Sequence, residues 1–288
     1  MKTILAALDL EGDSEAVLMR ALQLAQTHSA ELVLLHVLEA GELKQAATAY
    51  GCAEDGLRNL LERQAREALD TLLDGLAHPA LQVEFGPAHV VIGEVAAAIG
   101  ADLVVMGPGN RARMLKGRAL GTTVDRVVRS LPVPLLVVRS LPELAYRRLT
   151  AAVDFSPQSI AALHAARRVA PSAALRLVHV VHVPEPFQQA MLRAGASHAD
   201  IESFRTGLYD KARDDLAALA GTLDEAGRVV TRVIKNEPGA ALLRMSKGPR
   251  ADLIAVGTDG RGAVRSALLG RVTRRLLSEA GCDVLVGR

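Results

Sequence analysis

The 288-residue chain contains no tryptophan, and aromatic residues of all kinds make up 2% of it. A core without large rings must be built from Ala, Val, Leu and Ile, as a parallel sheet sealed between two helical layers requires. So few rings argue against single-stranded nucleic acid as a partner, because bases stack on aromatic side chains. Cysteine is scarce as well. Cys52 and Cys282 are too few for a disulfide framework and read as free thiols. Cys282 opens the last strand as a small core residue, whereas Cys52, after Tyr50-Gly51 in an insertion, reads as the more exposed. No apolar run is long enough to span a bilayer. Met1-Lys2-Thr3-Ile4-Leu5 runs directly into a strand, with no cleavable leader. The expectation is a cytoplasmic chain with no membrane partner.

Net charge is +2, which hides an asymmetry. Residues 1–142 carry 13 Lys and Arg against 17 Asp and Glu, and the remainder carries 21 against 15. Opposite fields of this kind favour docking of the two halves, or reserve anion handling for the second.

The chain repeats itself. Ala101-Asp102-Leu103-Val104-Val105-Met106-Gly107 recurs as Ala251-Asp252-Leu253-Ile254-Ala255-Val256-Gly257. Ile4–Asp9 recurs as Leu149–Asp154, Leu35-His36-Val37 as Val178-His179-Val180, and Gly121–Arg139 runs without a gap against Gly270–Arg288. These landmarks keep their order, so the chain is a duplication, divided into 1–142 and 143–288. Within the first copy, strands are expected at Thr3–Leu8, Glu31–Val37, Leu81–Phe85, Leu103–Met106 and Leu135–Val138. Helical stripes alternate with them, one on Val17, Leu18, Ala21, Leu22, Leu24 and Ala25 and another on Leu57 to Leu73. The fold class is therefore α/β, two tandem doubly wound parallel sheets of five strands each. Ligands of such sheets sit beyond the carboxyl ends of the strands. Asp9 and Asp154 end the first strands, and Gly107 and Gly257 the fourth, which makes each pair spatial neighbours.

After its fourth strand the second copy runs Gly257-Thr258-Asp259-Gly260, nine residues, then Gly270-Arg271 at a helix start. Glycines let backbone N–H groups approach a ligand, and a helix start supplies donors and the positive dipole end to a phosphate. Arg261, Arg265 and Arg271 offer countercharge. Glycine after a strand also simply ends it, or packs helices closely, so both readings stand. The first copy departs from this loop. Gly107-Pro108-Gly109-Asn110 reaches Gly121-Thr122 with one extra residue between the outer glycines, and Asn110 stands at the second glycine position.

The spacing Gly257, Gly260, Gly270 resembles the nucleotide loop of ATP-binding universal stress proteins. Arg271 stands where that family carries a hydroxyl residue, while Thr122 keeps it. The resemblance covers nearly the whole chain, twice. It implies a Rossmann-like fold of the adenine nucleotide α-hydrolase type. It also implies an adenosine pocket lined by Asp154, Val180 and Val256, with Asp9, Val37, Met106, Gly107, Gly121 and Thr122 as the first-copy counterparts. ATP or another adenine nucleotide is the implied ligand. The last strands, which commonly pair subunits in that family, are expected to join the two copies as an intrachain pseudo-dimer, or two chains as a homodimer. A stress-response regulatory binder with little or no catalysis follows, since no Lys follows the glycine loop as in a P-loop. The alternative is a protein whose degenerate loops serve interaction or another small ligand. His36 and His179, at equivalent strand ends, read as hydrogen-bonded rather than metal-ligating, because metal sites need three or four convergent ligands.

Overall fold

The computed structural model describes residues 1–10, 14–38, 40–73, 79–109, 122–223, 229–249, 251–259 and 269–288. The first half runs β1 (Thr3–Leu8), α1 (Ser14–His28), β2 (Glu31–Leu38), α2 (Ala40–Tyr50), α3 (Glu54–Leu73), β3 (Ala80–Phe85), α4 (Ala88–Ala98), β4 (Leu103–Met106), α5 (Thr122–Ser130) and β5 (Leu135–Val137). The second runs β6 (Arg148–Ala152), α6 (Pro157–Val169), β7 (Ala174–Val181), α7 (Glu185–Arg193), α8 (His198–Leu223), β8 (Val229–Lys235), α9 (Pro238–Ser246), β9 (Leu253–Gly257), α10 (Arg271–Glu279) and β10 (Asp283–Gly287). Five parallel strands in each half bear out the doubly wound reading. The order β3-β2-β1-β4-β5 is mirrored as β10-β9-β6-β7-β8, and β5 pairs antiparallel with β10. The two five-stranded sheets thus fuse into one sheet of ten strands.

Register at the seam shows the symmetry. Leu136 faces Leu285, and these are equivalent positions of the gapless repeat, so a local two-fold axis passes between them. Side chains alternate across the seam as strand geometry demands. Leu136 and Leu285 join a core on one face, and Leu135, Val137, Val284 and Val286 join a core on the other. Each core continues from one half into the other.

The repeated Ala-Asp-Leu motif has a structural task. Asp102 accepts the backbone N–H groups of Lys2 and Thr3, and Asp252 those of Arg147 and Arg148. Each carboxylate fastens the start of its half's first strand to the start of the fourth. The backbone bond from Lys2 is the main reason that the Asp102 carboxyl lies below the usual range. At Asp252 burial pushes upward, but the bonds from Arg148 and the two N–H groups outweigh it and leave the group low. One helix, α2, escaped the sequence pattern. Among its described side chains only Leu43 and Ala47 are buried, a stripe too thin to stand out in sequence.

Candidate functional site

Each first strand ends in the same device. Leu10 and Phe155, the residues after Asp9 and Asp154, take positive φ of 55° and 63°. Serines fix the turn at this strain. In the first half, Ser14 Oγ accepts the Leu10 N–H and donates to Asp9 Oδ1, both at 2.9 Å. In the second, Asp154 Oδ1 accepts from Ser156 N–H at 3.0 Å and from Ser156 Oγ at 2.5 Å. Ser156 Oγ also caps α6 by accepting the Ser159 N–H, the side-chain cap expected where a helix leaves a turn. Asp154 is half-buried, whereas Asp9 is exposed.

The histidines are hydrogen-bonded, as the sequence reading had them. His36 Nδ1 meets Leu8 O at 2.9 Å, and His179 Nδ1 meets Val153 O at 2.7 Å. The Phe155 ring lies 5.0 Å from that of His179, centroid to centroid. Among the described residues no cluster of His, Cys, Asp and Glu could hold a metal ion.

A cavity of about 580 Å³ opens over the carboxyl ends of β6, β7 and β9. It brings together Asp154, Val180, Val256, Gly257, Gly270 and Arg271, six of the seven second-half residues expected there. Gly260, the seventh, lies outside the described residues, as do Gly121, Asn110, Arg261 and Arg265. Thr122 begins α5, but its side chain is not among those described. Asp9, Val37, Met106 and Gly107 occupy the corresponding ends of β1, β2 and β4, where β1 lies between β2 and β4.

Gly257 has a packing task. A methyl group there would meet Gln158 C and Ser159 N at 2.9 Å, so the strand end and the start of α6 touch backbone to backbone. Close packing alone requires glycine at this point. At Gly107 the nearest described atom to such a methyl is Val17 Cγ2, at 3.5 Å. Around α10, the Gly270 N–H is taken by Thr258 O at 2.9 Å, and Thr273 Oγ1 donates to Gly257 O at 2.7 Å. These two bonds hold the helix start against the strand end. The N-cap of α10, Gly270, has no side chain to cap it, and Gly270, Arg271, Val272 and Thr273 all line the cavity.

Sequence reasoning missed the opposite wall. Leu208, Lys211, Ala212 and Asp215 of α8 line the cavity too, and Lys211 Nζ stands 3.2 Å from Asp215 Oδ2. In sequence this pair is an ordinary i,i+4 contact on a helix surface. Among the described lining residues, the cations Lys211 and Arg271 are set against the carboxylates of Asp154, Asp215 and Asp259.

A model described as the universal stress protein family matches residues 1–139 and, separately, 145–288. The chain belongs to the universal stress protein family. A universal stress protein of Mycolicibacterium smegmatis is 27% identical over 301 residues, covering 99% of this chain and 96% of that protein. A single-repeat relative from Thermus aquaticus is 30% identical over 152 residues, half of this chain and 99% of its own length. Among solved structures, a universal stress protein from Archaeoglobus fulgidus superposes with a TM-score of 0.68 at 20% identity, covering 99% of this chain and 96% of that one. That likeness concerns the fold. In this universal stress protein the two family matches correspond to the two symmetric halves of the sheet.

Proposed function

We propose that this protein is a regulatory binder of an adenine nucleotide, ATP or a close relative, held in the second half. One observation carries the reading: a single cavity gathers Asp154, Val180, Val256, Gly257, Gly270 and Arg271 from separate strands and a helix start. Its volume lies within the range of about 300–1,000 Å³ typical of small-ligand sites. In this reading Val180 and Val256 give the apolar floor for the base, and Asp154 faces the sugar. Phosphate oxygens approach the start of α10, where the helix dipole and the Arg271 guanidinium are favourable to anions. The protein has little or no turnover, because the glycine loop lacks the lysine of a P-loop. Binding shifts a surface read by a partner. A cytoplasmic stress-response setting fits the reading, as does a division of the chain into 1–142 and 143–288.

Arg271 is exposed, so its replacement tests the site without disturbing the core. Arg271→Glu is expected to weaken ATP binding by at least about tenfold, the effect of losing one charge-assisted phosphate contact and adding a repulsion. Equilibrium binding with labelled ATP reads this directly. Wild-type protein that shows no binding at millimolar ATP overturns the proposal. Mass spectrometry of the purified protein supplies a second check, since a different co-purifying molecule would point to the small-ligand alternative.

A further inference from the structure

The seam between the halves is symmetric in backbone and asymmetric in charge. Some contacts keep the two-fold. Arg139 and Arg288 are equivalent, and each reaches across the seam to cap the other half's last helix. Arg139 Nη2 donates to the carbonyls of Leu276, at 3.3 Å, and Leu277 near the end of α10. Arg288 donates to Leu131 O at 2.7 Å and Arg129 O at 2.5 Å at the end of α5. A cation at the negative end of a helix is favourable on both sides.

Other contacts break the two-fold. Arg20 of α1 and Asp283 of β10 form an ion pair at 3.3 Å, with side chains only 7% and 2% exposed. Asp283 also accepts from the Tyr146 hydroxyl at 2.6 Å and from the Arg139 N–H at 2.8 Å, and the Arg20 guanidinium lies over the Tyr146 ring. The symmetry-related site holds neither charge. Matching the buried positions Val17, Leu18, Ala21 and Leu24 of α1 to Ala162, Leu163, Ala166 and Val169 of α6 places Ala165 opposite Arg20. The gapless repeat places Pro134 opposite Asp283. Close to the axis itself, Asp125 and Arg274 are equivalent positions, and they meet each other at 3.3 Å. On a true two-fold, two aspartates or two arginines would meet there.

We infer that this seam is a heterotypic recognition surface: the first half accepts the second and rejects a copy of itself, and the second does likewise. Two first halves would bury two Arg20 side chains beside prolines, with no carboxylate, and oppose Asp125 to Asp125. Two second halves would bury two Asp283 carboxylates beside alanines, with no counterpart of Arg20, and oppose Arg274 to Arg274. A buried charge without its partner is strongly unfavourable, so specificity here comes from what each wrong pairing leaves unpaired. The partner that fits the first half is another half of the same fold with an acid at the Asp283 position and a base at the Arg274 position. The inference is independent of any ligand. It assigns the first half a task that its own altered loop does not compromise, namely to be the fixed partner of the second.

A protease site inserted between Ser140 and Leu141 allows the full chain to be cut after folding. Native mass spectrometry then distinguishes the pairs, because the halves differ in mass. Random pairing would make half of all complexes like pairs. Unlike pairs alone are expected, because an unpaired buried charge shifts association on the order of 100-fold or more. Like pairs at the random level overturn the inference. The uncut chain gives an independent reading that does not require free halves to stay folded. Asp283→Ala and Arg20→Leu each lower the melting temperature, and the double variant melts above either single one, since it leaves no charge stranded. Asp125→Arg lowers it as well, and adding Arg274→Asp restores it. Strictly additive effects in both cycles overturn the inference.

Discussion

At the scale of the residue, glycines that look alike in sequence carry different loads. Gly257 and Gly107 occupy equivalent motif positions, yet among the described residues only at Gly257 does a methyl group meet backbone at 2.9 Å. Gly257→Ala is expected to destabilise the fold by about 1–3 kcal/mol, the usual cost of overpacking. Gly107→Ala should stay within about 0.5 kcal/mol of the wild type. Denaturant titration of both variants decides the matter, and equal effects would contradict the packing account. Sequence alone offered both a ligand task and a packing task for Gly257, because spacing records where glycine stands and not which backbone passes behind it. The thiols were more legible. Cys282 is buried, and burial pushes its thiol up to about 12, whereas Cys52 is exposed. One thiol per native chain should therefore react with an aromatic disulfide reagent at pH 8, and a Cys52→Ser variant should show none. Two fast-reacting thiols would contradict the buried placement.

At the scale of the element, strands were readable and their fastenings were not. Apolar runs between turn residues marked the first-half strands to within a residue or so, since a strand buried on both faces tolerates little else. The Ala-Asp-Leu motif was visible as a repeat, but nothing in the sequence says that its aspartate binds the N–H groups of a strand begun about 100 residues earlier. Both carboxyls are held below their ordinary value of 3.8. A depressed carboxylate contributes stability that is present above the unfolded pKa and lost as pH falls through the folded one. Asp252→Asn should thus melt below the wild type at pH 7, with the gap closing as the pH falls below the ordinary carboxylate range. A gap independent of pH would show that charge is not what Asp252 contributes. The α8 wall was illegible for another reason. Lys211 and Asp215 satisfy each other along their own helix, and only packing over the strand ends reveals that they also face a cavity.

At the scale of the whole molecule, duplication was plain from ordered landmarks, and resemblance pointed to the last strands as the joint. Their antiparallel pairing through Leu136 and Leu285 makes one sheet with two cores running its length. The charge code at the seam was out of reach of sequence, because Arg20 and Asp283 lie near opposite ends of the chain and only the fold brings them together. The same divergence separates the strand-end sites. The second half keeps the loop spacing and a half-buried Asp154, and the first half has a longer loop and an exposed Asp9. Nucleotide stoichiometry on the intact chain, by equilibrium dialysis against labelled ATP, tests the central claim most directly. The account predicts one nucleotide per chain, lost on Arg271→Glu; no bound nucleotide, or one that this substitution leaves untouched, would contradict it.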